Sequence, residues 1–261
     1  MRVVEVSDPD DRRLDDFRDL IDADVRPDRR GVVIAEGVNV VERLAGSRYP
    51  IRAVFGVPAR IDALRAALSM VDVTAYMADR WLLSDVVGFR VTRGVLASAG
   101  RPPGPELATL LDGARRVAVL EALNDFENLG AVFRNAAAFG VDAVLLDPQC
   151  ADPLYRRSVR VSMGHALRVP FAVLPEPWPG SLELLRSRGF RLLAMSPGGT
   201  ADLRGIEVPQ RWAVLLGAEG PGLTDAALAA ADQWVRIPMA TGIDSLNVAT
   251  AAAVAFARLC E

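Results

Sequence analysis

The chain contains no lysine; all 30 of its basic residues are arginine. That absence by itself selects no chemistry. Cysteine and histidine are nearly absent too, with Cys150, Cys260 and His165 the only three in 261 residues. No paired spacing links them, so no zinc site is expected from this set, nor any other metal. Two distant thiols suit a reducing compartment, where they pack as small hydrophobes. With no partner identifiable in the sequence, His165 is expected to be structural. The tryptophans Trp81, Trp178, Trp212 and Trp234 are scattered and are expected to pack inside, with no base-stacking platform. No apolar run approaches the roughly 18 residues that cross a bilayer. The start, Met1-Arg2-Val3-Val4-Glu5 and then an Asp/Arg-rich stretch, lacks the apolar core of a secretory signal. The expectation is a cytoplasmic protein with no membrane contact.

What is present describes a globular chain, 51% hydrophobic and 24% charged, long enough for one large domain or two ordinary ones. Its net charge of −3 is awkward for a nucleic-acid binder. An average hides patches, however. From Pro153 to Pro175 no acidic residue occurs, while Arg156, Arg157, Arg160 and Arg168 all do. The run Tyr155-Arg156-Arg157-Ser158-Val159-Arg160 reads either as phosphate contacts or as an ordinary exposed helical face.

Between Ala97 and Gly113 the sequence turns to Gly, Pro and Ser, which predicts a linker over 98–114 between domains at 1–97 and 115–261. Before it, Val32–Ala35, Ala53–Val57, Val71–Ala75 and Val91–Leu96 read as strands. Arg12–Ala23, Val38–Leu44, Ile61–Leu68 and Asp79–Val86 read as helices. This is a small α/β sandwich. After it, Val117–Ala122, Ala143–Asp147, Phe171–Leu174, Leu192–Ser196, Trp212–Gly217 and Trp234–Ile237 are apolar strands, alternating with helices at Leu129–Phe139, Ser181–Ser187, Asp225–Ala231 and the C-terminus. Continuous apolar strands alternating with helices predict a mostly parallel sheet covered on both faces. Ligands of such sheets gather beyond the strands' C-terminal ends.

Three polar segments fall at those ends. They are Asp125-Phe126-Glu127-Asn128-Leu129-Gly130-Ala131-Val132-Phe133-Arg134-Asn135-Ala136, Leu216-Gly217-Ala218-Glu219-Gly220-Pro221-Gly222-Leu223, and Ile237-Pro238-Met239 with Ser245-Leu246-Asn247-Val248-Ala249. Taken singly each has a plain reading. Asn128 reads as a helix N-cap, Arg134 as a surface cation, the glycine loop as a tight strand-to-helix turn, and Ser245 or Asn247 as a cap. The glycine spacing is not that of a dinucleotide-binding fingerprint. Glu219, in a neighbouring loop, is expected as a partner for Arg134.

Together, in this order, the segments resemble motifs 1, 2 and 3 of the SpoU (TrmH-like) branch of the SPOUT RNA methyltransferases. The first half resembles the ribosomal-protein-L30e-type substrate-binding domain often fused ahead of them, through Arg29-Arg30-Gly31 and Ile34-Ala35-Glu36-Gly37. The resemblance implies an α/β fold with a C-terminal trefoil knot, one of the rare exceptions to unknotted chains. It implies a homodimer that transfers a methyl group from S-adenosylmethionine to a ribose 2′-hydroxyl of RNA, ribosomal more than transfer RNA. Carried across by position, the catalytic set is Asn128, Arg134, Glu219, Ser245 and Asn247. The cofactor set is Leu216, Gly217, Ile237, Met239, Leu246 and Asn247, and RNA is expected at Arg29, Arg30, Arg156, Arg157 and Arg160. Two departures, Phe126 after Asp125 and Ala249 closing the third motif, touch none of the catalytic set.

The implied reaction needs no metal or acid, because a sulfonium is already an electrophile. It needs the ribose hydroxyl oriented and deprotonated. A guanidinium holds its proton too firmly to be a good base. Arg134 is therefore expected to stabilise the developing alkoxide and anchor a phosphate, with Ser245 or a phosphate oxygen relaying the proton. The competing expectations are a non-catalytic RNA-binding paralogue of the same fold and, more remotely, a nicotinamide-dependent enzyme.

Overall fold

The short apolar runs of the sequence become strands, and what decides their place is how many neighbours each must be buried against. The computed structural model describes residues 1–18, 20 and 31–260. In chain order its first elements are β1 (Arg2–Glu5), β2 (Val32–Glu36), α1 (Val38–Ala45), β3 (Ile51–Gly56), α2 (Pro58–Ala63), β4 (Thr74–Met77), α3 (Arg80–Val87) and β5 (Val95–Gly100). Next come α4 (Leu107–Gly113), β6 (Arg116–Glu121), α5 (Phe126–Phe139), β7 (Ala143–Leu146) and α6 (Arg156–Val161). The chain continues with β8 (Phe171–Val173), α7 (Glu183–Arg186), β9 (Arg191–Met195), β10 (Ala201–Asp202), β11 (Trp212–Gly217), α8 (Asp225–Ala230), β12 (Gln233–Arg236) and α9 (Val248–Leu259).

These elements group into two units. Met1–Pro103 and Asp152–Arg168 form one; Gly104–Ala151 and Val169–Glu261 form the other. The first contains a mixed sheet in the order β1-β4-β3-β5-β2, with β4 parallel to both neighbours and β5 antiparallel to both of its own. Leu14, Phe17, Phe55, Leu83 and Leu96 fill its core. Phe17 and Phe55 meet with ring centroids 5.5 Å apart. The α6 segment belongs to this unit despite its position in the sequence, packing Ser158 and Val159 inside. A buried ion pair fastens it, with Arg156 Nη1 donating to Glu36 Oε2 at 2.9 Å.

Several expectations change here. Residues 98–114, expected as a linker, carry the end of β5 and all of α4. Ala97, Ser98 and Ala99 lie in a strand flanked on both sides, where small side chains suit close packing but give no apolar signal. The start of the chain, to which no element was assigned, is an edge strand supplied with partners by β4. The third predicted strand moves from Val71–Ala75 to Thr74–Met77, because Val71 closes a turn onto Leu68. The described part of the expected helix Arg12–Ala23 is a 3-10 turn over Arg12–Phe17. Trp81, expected to pack inside, is 85% exposed on the first turn of α3. Arg29 and Arg30 lie outside the described residues.

The second unit contains a seven-stranded sheet in the order β10-β12-β9-β11-β6-β7-β8, parallel throughout. The central β6 and β11 bury almost every residue, which is why their sequence reads as an unbroken apolar run. Helix α9 turns Ala252, Ala255, Phe256 and Leu259 inward. Its small residues allow close approach to α5, where Asn135 Nδ2 donates to the Ala249 carbonyl at 2.8 Å. Phe256 stacks on Trp212 with centroids 6.5 Å apart. Burying one such phenyl ring contributes roughly 1.5–3 kcal/mol. Among the described residues no helix is long and apolar enough to cross a membrane.

Candidate active site

A cavity of about 570 Å³ opens in the second unit beyond the C-terminal ends of β9, β11 and β12. Leu216, Gly217, Ile237, Met239, Leu246 and Asn247, the six residues expected to hold a cofactor, all line it. So do Glu219 and Ser245. Segments some 20 residues apart in sequence meet because parallel strands deliver their loops to the same edge of the sheet.

The floor depends on Gly217. A Cβ there would lie 2.1 Å from the backbone carbon of Gly222, so no side chain fits. The loop doubles back over this position, with the Gly222 amide donating to the Ala218 carbonyl at 2.9 Å. Gly220 and Gly222 supply the positive φ, +87° and +71°, that the reversal needs. The result is bare backbone at the end of a buried strand.

Asn247 joins the three segments. Its Nδ2 donates to Asn128 Oδ1 at 2.8 Å and also to Glu219 Oε1. Its Oδ1 accepts from the amides of Ala249 and Thr250 at 3.0 and 3.2 Å, so the same side chain caps α9. Asn128 was expected as the cap of α5. Asp125 has that role instead, accepting from the Asn128 amide at 2.7 Å and leaving the Asn128 side chain for Asn247.

Arg134 and Asn128 do not line the cavity. The expected Arg134–Glu219 pair is not formed. Arg134 is exposed, and among the described residues its guanidinium has no hydrogen bond or ion pair. Of the arginines expected to meet RNA, Arg156 is committed to Glu36 and stacks over Phe89 at 4.3 Å. Arg160 stands 3.9 Å from the same carboxylate. Arg157 and Arg168 are exposed. His165 is half-buried in a 3-10 turn of the first unit and does not line the cavity.

The sequence reading missed one wall, Met195-Ser196-Pro197, although a strand ending in Ser-Pro-Gly-Gly carries the same signal as the other loops. It also missed Glu121, buried at the end of β6, whose carboxylate nothing local in the sequence distinguishes from a surface acid. Cys150 lies nearby, donating to the Leu120 carbonyl at 3.3 Å. Burial, reinforced by the negative charge of Asp147, pushes its thiol up, which suits packing and not nucleophilic chemistry.

A model of the SpoU rRNA Methylase family matches residues 115–257, more than half of the chain. An uncharacterized tRNA/rRNA methyltransferase of Mycobacterium tuberculosis is 54% identical over 261 residues, covering 97% of this chain and 90% of that protein. One from Synechocystis is 35% identical over 189 residues, covering 68% of this chain and 69% of its own. Among solved structures, the AdoMet-bound rRNA methyltransferase from Sinorhizobium meliloti matches with a TM-score of 0.81 at 23% identity, over 98% of this chain and 97% of that one. The SpoU methyltransferase AviRb from Streptomyces viridochromogenes, in complex with AdoMet, also matches at 0.81 and 23%, over 95% and 97%. At such identity the likeness is one of fold.

Proposed function

We propose, from the premise that this chain belongs to the SpoU rRNA Methylase family, that it is an S-adenosylmethionine-dependent RNA methyltransferase. Its target is a ribose 2′-hydroxyl, of ribosomal RNA more than of transfer RNA, and it works in the cytoplasm as a homodimer. The observation that carries this reading is that two distant polar segments line one cavity and the third is joined to them through Asn247, which donates to both Asn128 and Glu219.

The cavity suits the cofactor. Its 570 Å³ falls within the ~300–1,000 Å³ of small-molecule pockets. Bare backbone at Leu216–Gly217 permits close approach, Ile237, Met239 and Leu246 offer apolar surface, and Glu219 and Asp225 suit a cation. When bound, S-adenosylmethionine supplies an electrophilic methyl group. The chain must then orient the ribose hydroxyl and stabilise the oxygen as its proton leaves. We assign the second task to Arg134, an exposed guanidinium suited to bidentate phosphate contact and to a developing alkoxide. Ser245, at the rim, or a phosphate oxygen of the RNA relays the proton onward to solvent. Asn128 and Glu219 hold Asn247, and through it the loop from Ile237 to Asn247. The first domain, with Arg157 exposed, is read as the RNA-binding part.

The test is tritiated methyl transfer from S-adenosylmethionine to total RNA of a strain lacking this gene, with Arg134→Ala as control. Label in large ribosomal RNA, lost in the variant, is the expected result. Label confined to transfer RNA would reverse the substrate assignment. No label, and no stabilisation of the protein by S-adenosylmethionine, would sink the enzyme reading in favour of a non-catalytic RNA-binding paralogue.

A further inference from the structure

We propose that Glu121 is a positioning residue for the cofactor pocket, its buried carboxylate clamping the glycine loop that carries Glu219. The inference rests on the methyltransferase reading of that pocket. Glu121 ends β6 and sits opposite Gly217 in the register of β6 with β11. It is 2% exposed at the end of a strand whose preceding residues, Val117 to Leu120, are apolar. A carboxylate in such a place is costly unless donors surround it.

Three donors do. The Thr224 amide donates at 2.9 Å, the Thr224 hydroxyl at 2.7 Å and the Trp178 indole N–H at 2.5 Å. Thr224 is where the loop from Gly217 ends, and its Oγ1 also caps α8 by accepting from the Ala227 amide at 3.2 Å. Glu121 is followed by Ala122, a non-glycine residue at φ +53°, which begins the turn towards Asp125 and Asn128. One side chain thus ties the segment bearing Asn128 to the loop bearing Glu219. Those are the two groups that meet at Asn247.

The chemistry of the clamp is directional. All three partners are donors, so an acid accepts from every one, whereas an amide would turn its N–H₂ towards a donor. Packing alone would be served by an apolar residue of similar size. Glu121 does not itself line the cavity, so it acts through the loop.

The experiment uses the full-length chain and three variants, Glu121→Gln, Thr224→Val and Thr224→Ser. Calorimetry measures S-adenosylmethionine affinity, hydrogen exchange follows residues 217–228 without ligand, and steady-state kinetics separate KM for the cofactor from KM for RNA. E121Q is expected to weaken cofactor binding about tenfold, the effect of losing one charged hydrogen bond. Exchange at the Thr224 amide should accelerate while KM for RNA stays unchanged. T224V should change in the same direction by less, and T224S, which keeps the hydroxyl, should restore wild-type affinity. Should E121Q not fold, the Val and Ser pair decides alone. Wild-type affinity and exchange in T224V, and in E121Q where it folds, would overturn the clamp. Failure of the unaltered protein to bind the cofactor would instead overturn the functional reading on which the clamp depends.

Discussion

At the scale of single residues, Asn247 shows how one side chain serves both stability and the site. Its carbonyl oxygen caps α9, and its amide nitrogen reaches Asn128 and Glu219. Asn247→Asp separates the two. Aspartate caps as well as asparagine, so stability should change by no more than about 0.5 kcal/mol from the cap itself. The donor, however, becomes an acceptor facing two acceptors. Methyl transfer should fall by about tenfold or more while thermal unfolding changes little, and a variant as active as the parent would remove the network from the mechanism. Asn247, Asn128 and Glu219 were all legible in the sequence as parts of motifs; the bonds that join them were not. Glu219 looked like a partner for Arg134, because charge complementarity is visible in a sequence and direction in space is not.

At the scale of elements, α6 is the instructive case. Its arginines read equally well as phosphate contacts or as a solvated face, and the fold divides them. Arg156 is only 19% exposed in its side chain and pairs with Glu36, whose side chain is 1% exposed. Arg157, one residue on, is exposed. Arg156→Ala would leave a buried carboxylate with Arg160, at 3.9 Å, as its remaining cation among the described residues. We expect a loss of about 3 kcal/mol, the low end for a broken buried pair, read by denaturant unfolding. Arg157→Ala, at an exposed position, should cost less than Arg156→Ala and weaken RNA binding. Equal stability of the two variants would show that the Glu36 pair contributes nothing to folding.

For the whole molecule, a net charge of −3 must be reconciled with an RNA substrate. Removing Arg156, and in part Arg160, from the exposed stripe leaves fewer cations for phosphate than the sequence suggested. Each phosphate neutralised on a single strand contributes about −0.7 to the slope of log affinity against log salt. Filter binding between 50 and 200 mM salt, roughly the range over which such slopes are read, should therefore show a shallow negative slope, and Arg157→Ala should flatten it further. A slope unchanged by that substitution would take α6 out of the RNA-binding surface.

By itself the sequence determined the class of fold and the location of its chemistry. Buried parallel strands must be apolar throughout, and loops at their C-terminal ends must be polar and rich in turns, so both are written locally. The tertiary structure alone decided which polar groups meet. It assigned Asp125 the cap expected of Asn128, gave Glu219 to Asn247, buried Arg156 against Glu36 and placed Glu121 under Thr224. Hydrogen bonds and ion pairs such as these, three of the four between residues 28 to 120 positions apart, depend on distances of about 3 Å, which only the packed chain sets.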